Sequence, residues 1–323
     1  MDGLALGIEI GGTKLQAALG TAAGEVLAQE RGRAAAGEGA QAILAWFEQS
    51  VPRLLAEAWS RGRTVTGMGV GFGGPVETAT GTVLVSHQVS GWDGVPLKAW
   101  FEERFGLPTV VANDSNAAGW AEYCLGAGRG TRHFCYMNIG SGIGGALVID
   151  GKLHDGQGFG AAEIGHCYVP DWTLAEPGAA EELERLCSGW SIERRFRAAA
   201  GAAPGSALHR LCGGDRDRIT CAMVAEAARA GDPECLEALD RVAQTAGLAL
   251  ANVITLVHPE RVALGGGVAL MGEVLLAPLR RYVDARVFEQ FRGRYDIVPC
   301  TLGESVVVAG ALLLAPRPSC SVT

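Results

Sequence analysis

Gly7-Ile8-Glu9-Ile10-Gly11-Gly12-Thr13-Lys14-Leu15-Gln16-Ala17-Ala18-Leu19 is an apolar run, a tight glycine turn and a second apolar run. The chain says nearly the same thing again at Met137-Asn138-Ile139-Gly140-Ser141-Gly142-Ile143-Gly144-Gly145-Ala146-Leu147-Val148-Ile149. Each copy carries one hydroxyl residue in its turn, Thr13 or Ser141. The pattern predicts two β-hairpins with exposed turn amides. Successive N–H groups in such a turn make an anion-binding nest, so two hairpins facing each other predict a nucleotide cleft between two related lobes.

Gly140 to Gly145 also satisfies G-x-G-x-x-G, but that fingerprint must open a helix whose N-terminus meets a pyrophosphate. Here Ala146-Leu147-Val148-Ile149 continues as a strand. A Walker P-loop is excluded as well, because no glycine-lysine-serine/threonine follows a glycine at the required spacing. One glycine hairpin alone would read as an ordinary turn; two copies with a hydroxyl in each favour phosphate binding.

Outward from the first hairpin, strand and helix signals alternate as in a layered α/β protein. Ile43, Phe47, Val51, Leu54 and Leu55 recur at helical spacing between Ala40 and Arg61. Val65 to Phe72 reads as a buried strand stopping at Gly73-Gly74-Pro75, Val83-Leu84-Val85 as a short strand and Leu97 to Phe105 as a helix. Thr109 to Ala112 reads as a strand ending on Asn113-Asp114-Ser115-Asn116, with a helix from there to about Leu125. After the second hairpin, Pro170 to Gly178 reads as a loop and Ala198 to Asp217 as a mobile excursion. Helices are expected over Thr220 to Ala230 and Pro233 to Val257, the latter broken or bent. A strand over Arg261 to Leu264 runs into Gly265-Gly266-Gly267, and Ser305 to Ala315 is an apolar terminal helix. Chain crossings between the lobes are expected near Ala117 and Glu304.

Asp114 follows a buried strand and opens a helix, which makes an N-cap the plain interpretation. A carboxylate at a strand's C-terminal end, opposite phosphate-binding turns, is also where a base sits to take a proton from an attacking hydroxyl, and the helix N-terminus favours its charged form. Glu163-Ile164-Gly165-His166 sets two polar side chains three apart among glycines, and with Glu184 they would form the hydrogen-bonding wall of a polyol site. Gly265-Gly266-Gly267 would let an adenine or ribose approach the backbone, or simply turn a strand into a helix.

The bulk properties exclude other classes. At 323 residues the chain suits two domains. A net charge of −8 argues against a broad nucleic-acid surface. No apolar run reaches the length of a membrane span, and Met1-Asp2-Gly3 lacks the basic region of a signal peptide. Nine scattered cysteines with no C-x-x-C pair predict free thiols in a reducing cytoplasm.

Taken in order, Ile8 to Lys14, Gly73-Gly74-Pro75-Val76, Gly91-Trp92, Asn113 to Ala118, Gly140 to Gly145, Glu163 to His166 and Gly265 to Gly267 resemble the ROK family of sugar kinases across nearly the whole chain. That family lies in the superfamily shared by hexokinases, actin and the heat-shock chaperone ATPases. The resemblance implies an α/β, two-lobed ribonuclease H-like fold, with residues 1–117 and 306–323 in a small lobe and 118–305 in a large one. It implies Asp114 as catalytic base, with Gly73, Gly74, Gln88, Asn113, Glu163, His166 and Glu184 on the sugar side. Gly11, Gly12, Thr13, Lys14, Gly140, Ser141, Gly142, Gly265 and Gly266 would bind ATP, with Mg²⁺ near Glu9. The implied activity is transfer of the γ-phosphoryl group of ATP to a hexose, foremost the 6-hydroxyl of glucose, by a homodimer. Fructose, N-acetylmannosamine or another hexose is the alternative, as is a sugar-binding regulator; the first strand begins almost at Met1, which leaves no room for the helix-turn-helix of ROK repressors.

Three departures stand out. Most members hold a structural zinc with a C-x-C-G-x-x-G-C cluster and the histidine of Glu-Ile-Gly-His. Here the corresponding stretch, Ala175-Glu176-Pro177-Gly178-Ala179-Ala180-Glu181-Glu182, has no cysteine. Tetrahedral zinc needs four ligands, so a zinc-free variant is expected. Glu9 stands where many members have Asp, and Gln88 where many glucokinase-like members have Asn.

Overall fold

The computed structural model describes residues 3–34, 39–86, 88–176, 178–198 and 203–317. Both hairpins form. β1 (Leu4–Ile10) pairs antiparallel with β2 (Lys14–Thr21), and the Gly11 N–H closes the turn on the Lys14 carbonyl at 2.9 Å. β3 (Val26–Arg33) continues the meander. After α1 (Ala40–Ser60) the chain returns as β4 (Val65–Phe72), parallel to β1. A small ribbon of β5 (Val76–Glu77) and β6 (Thr82–Val83) and the helix α2 (Leu97–Phe105) then lead to β7 (Thr109–Asn113), parallel to β4. The sheet order is β3-β2-β1-β4-β7.

Every residue of β1 is buried, as a central strand covered on both faces requires. One cover is α1, whose Ile43, Phe47, Val51 and Leu54 are buried at helical spacing. Phe47 meets Phe101 of α2 edge-on at 5.8 Å, and Phe72 at the end of β4 meets Trp92 edge-on at 5.0 Å. The other cover is α11 (Val306–Leu314), packed on β1, β4 and α3 (Asp114–Leu125). Its approach needs positions without a side chain on both partners. A Cβ on Gly69 would overlap the Ala311 carbonyl, and one on Gly310 the Ala117 carbonyl.

The plan repeats. β8 (Phe134–Ile139), β9 (Ile143–Ile149) and β10 (Lys152–His154) are followed by a two-stranded ribbon of β11 (Tyr168–Pro170) and β12 (Ala180–Glu182). Then come α4 (Leu183–Cys187), α5 (Gly189–Ala198), α6 (Ala207–Leu211), α7 (Cys221–Arg229) and α8 (Pro233–Val257). β13 (Arg261–Gly265) is followed by α9 (Gly266–Ala269), α10 (Glu273–Asp284) and β14 (Asp296–Pro299). The second sheet runs β10-β9-β8-β13-β14. In chain order within each half this is the same 3-2-1-4-5 arrangement as the first, so the doubled glycine turn reports a doubled sheet.

Two compact units result, residues 1–130 with 146–161 and 301–323, and residues 131–145 with 162–300. The chain passes between them after residues 130, 145, 161 and 300. The boundary expected at residue 117 falls inside α3, which stays whole in the first unit because Gly310 of α11 packs against it. Three local expectations also change. The strand expected at Val83 to Val85 is instead Thr82–Val83. The helix over Pro233–Val257 is continuous, with Asp232 as its cap and Pro233 in its first turn, where a proline costs no hydrogen bond. The stretch after Ala198 contains α6, capped by Ser206, although residues 199–202 lie outside the described residues.

Candidate active site

In the first unit the glycine turn carries a charged cluster. Glu9 is 7% exposed, with Lys14 Nζ 3.2 Å from its Oε2. Lys14 gives its hydrogen bond to the Glu304 carbonyl at 2.6 Å, so Glu9 Oε2 is buried with an ion pair but no directed hydrogen bond. Burial pushes the Glu9 carboxyl up from 4.5 to about 7; Lys14 opposes this, and the negative charges of Asp114 and Glu304 add to it.

Asp114 opens α3, but the cap belongs to its neighbour. Asn113 Oδ1 accepts from the Ser115 N–H at 2.8 Å and the Asn116 N–H at 3.2 Å. The Asn113 Nδ2 donates to the Gly74 carbonyl at 3.1 Å. The plain N-cap role expected for Asp114 is therefore taken by Asn113. Ser115 Oγ donates to its Oδ1 at 3.2 Å. The Gly73 N–H donates to the Ile10 carbonyl at 2.8 Å, and a Cβ on Gly73 would stand 3.3 Å from Asp114 Oδ2. The β4 exit thus packs between the first glycine turn and Asp114. Gln88 reaches the same turn: a Cβ on Gly12 would overlap its carboxamide. Trp92, fully buried against Phe72, anchors the segment that carries Gln88. A cavity of about 140 Å³ opens beside Asn113, lined by Thr78, Asn116, Asp155 and Gly160 among others.

In the second unit two glycine segments converge on the second turn. The Gly189 N–H donates to the Gly140 carbonyl at 2.7 Å. Gly266 has φ +83°, and a Cβ there would meet the Ile139 carbonyl at 2.5 Å. Glu184 Oε2 accepts from the Ile143 N–H at 2.6 Å, and a Cβ on Gly142 would stand 2.7 Å from the same oxygen. Glu163 precedes a single 3₁₀ turn, Ile164–His166. It is an exposed residue whose carboxyl is nonetheless partly desolvated. That desolvation raises it above the usual carboxylate range, with His166 opposing and Glu184 adding. Glu163 is thus within electrostatic reach of both His166 and Glu184. His166 Nδ1 lies 3.6 Å from Glu182 Oε1.

Comparison with known proteins places this double-sheet architecture. A model of the ROK family matches residues 5–317. The chain belongs to the ROK family. It is 33% identical over 320 residues to a glucokinase of Streptomyces coelicolor, covering 98% of each chain. The crystal structure of a ROK family glucokinase from Streptomyces griseus in complex with glucose and AMPPNP superposes with a TM-score of 0.81 at 34% identity, covering 97% of this chain and 99% of that one. A xylose repressor of Caldicellulosiruptor bescii is 26% identical over 97% of this chain and 78% of its own length. The fold is accordingly the two-lobed actin/hexokinase type of the ROK sugar kinases.

For a ROK protein, the sequence-predicted residues fall into two sets. Glu9, Gly11, Gly12, Lys14, Gly73, Gly74, Gln88, Asn113 and Asp114 are neighbours in the first unit, with Thr13 exposed at the turn. Gly140, Gly142, Glu184, Gly265 and Gly266 lie at the second turn, with Ser141 exposed and Glu163 within electrostatic reach of His166 and Glu184. Sequence reasoning missed three partners: Glu182 against His166, the Glu304 carbonyl on Lys14, and the bond from Glu184 to the turn amide. Their sequence separations, up to 290 residues, leave no local signal. Among the described residues no three His, Cys, Asp or Glu side chains group as metal ligands, and the eight described cysteines are free. No helix among them is long and apolar enough to cross a membrane.

Proposed function

We propose that this ROK protein is an ATP- and Mg²⁺-dependent hexose kinase that phosphorylates the 6-hydroxyl of glucose, acting as a homodimer in the cytoplasm. The observation that carries the proposal is the place of Asp114, at the start of α3 beside Glu9 and the first glycine turn. The kinship with glucokinases supports the same substrate.

Phosphoryl transfer asks a protein for positioning and charge stabilisation more than covalent chemistry. Asp114 accepts the proton of the attacking hydroxyl, and Asn113 fixes the helix end from which it acts. The turns at Gly11 to Lys14 and Gly140 to Gly142 hold phosphate oxygens through amides other than those of Gly11 and Gly140, which close the turns themselves, with Gly265 and Gly266 on the nucleoside side. Gln88, Glu163, His166 and Glu184 orient sugar hydroxyls. Glu9 and Asp114 supply the hard oxygen donors that suit Mg²⁺, which takes one or two carboxylates plus phosphates. The buried Oε2 of Glu9, which has the Lys14 ion pair but no hydrogen bond, is an observation that fits a cation there. Bound there, Mg²⁺ would offset charge on the transferring phosphoryl group.

Measuring ADP release with glucose, fructose, mannose and N-acetylmannosamine tests the proposal, with glucose expected to give the highest kcat/KM. Asp114→Asn should lower kcat about 10³-fold with an unchanged melting temperature. Near-normal turnover by that variant, or no phosphorylation of any sugar in the panel, would refute it.

A further inference from the structure

Trp172 lies in the loop between β11 and β12, and its indole N–H is buried with no hydrogen-bond partner. A buried unpaired donor costs free energy, so the ring is not kept there by its N–H. Its face is engaged instead. The Arg195 guanidinium of α5 sits 4.8 Å from the ring centroid and that of Arg241 of α8 sits 5.4 Å away. Both cations are held in turn, Arg195 by Ser191 Oγ at 3.1 Å and Arg241 by Glu237 Oε1 at 2.9 Å. Burial also makes the Arg195 charge harder to hold, and cation–π attraction strengthens when desolvated.

The loop transmits this anchorage to His166. The Asp171 N–H donates to the Ala179 carbonyl at 2.9 Å, closing the β11–β12 ribbon, and Asp171 Oδ1 accepts from the Thr173 N–H at 2.8 Å. At the other end of β12, Glu182 faces His166 at 3.6 Å, and the Leu183 N–H donates to the Cys167 carbonyl at 2.9 Å. The stretch from Ala175 to Glu182 contains no cysteine, so packing has to fix this ribbon.

We propose that Trp172 is a positioning residue for the sugar site: its indole, held by Arg195 and Arg241, docks the β11–β12 ribbon on α5 and α8 and so sets Glu182 against His166. The inference rests on His166 binding the sugar. Two variants separate the ring face from mere bulk. Trp172→Phe keeps an aromatic face for the guanidinium groups; Trp172→Leu keeps apolar volume without one.

Steady-state kinetics should give Trp172→Leu a sugar KM raised about tenfold, with kcat and the KM for ATP within about twofold, and Trp172→Phe should restore most of the sugar KM. Amide exchange in β11 and β12 should speed up in the Leu variant and stay near wild type in the Phe variant. A general loss of folded enzyme would lower kcat in both. An unchanged sugar KM in Trp172→Leu, or equal effects of Leu and Phe, would overturn the proposal. A wild-type protein that phosphorylates no hexose would remove the kinase assignment instead, and the exchange measurement would then decide the docking by itself.

Discussion

Replacing Glu9 by Gln should make the metal-free protein more stable at pH 8 than the wild type, and the size of the gain follows from burial. The carboxyl rises from its ordinary 4.5 to about 7 in the fold, desolvation being the largest cause. At 1.36 kcal/mol per pKa unit that is worth about 3 kcal/mol. The sign is fixed by linkage: between these two values the folded protein binds the proton that the unfolded chain has released, so stability falls as pH rises. The favourable state is complete below 4.5 and lost by the time pH passes 7. Of the total, about 2 kcal/mol should disappear between pH 5.5 and 7.5. A carboxamide has no charge to desolvate, and the Lys14 bond to the Glu304 carbonyl is untouched. Urea unfolding in EDTA across pH 5.5 to 8.5 measures the effect. The wild-type profile should slope downward relative to Glu9→Gln, the two diverging by about 2 kcal/mol. Parallel profiles would refute the reasoning and show that Glu9 is ionised at no cost in the fold.

Other outcomes follow from close contacts. Gly142→Ala puts a methyl 2.7 Å from Glu184 Oε2, and losing a charged hydrogen bond of this kind should raise the KM for both ATP and sugar about tenfold or more; two unchanged KM values would detach Glu184 from both substrates. Gly310→Ala drives a methyl into the Ala117 carbonyl and should cost about 1–3 kcal/mol, visible as a lower melting temperature, whereas an unaltered one would mean that α11 and α3 part easily. Protein purified without added metal should carry no stoichiometric zinc by elemental analysis, and one zinc per chain would contradict the packing account of the β11–β12 ribbon.

Much of the fold was legible because its signals are local. The apolar runs of β1 and β2, the helical period of α1, and the glycines between runs are properties of neighbouring residues. Sites that depend on partners far along the chain were not. Asp114 and Asn113 adjoin in sequence, and either residue type caps a helix; only the tertiary structure shows Asn113 doing so while its amide reaches Gly74. Glu184 is assigned to the sugar side by the family resemblance alone, and its bond to Ile143 joins positions 41 residues apart.

The sequence by itself determined the doubled sheet, the glycine turns and the absence of a cysteine cluster, since each is written in short-range pattern and composition. The tertiary structure decided what those turns face. Burial raised Glu9, Trp172 found two guanidinium groups, and Gln88 came to lie on Gly12. Such effects arise from desolvation and contact between distant segments, and no window of sequence contains both partners.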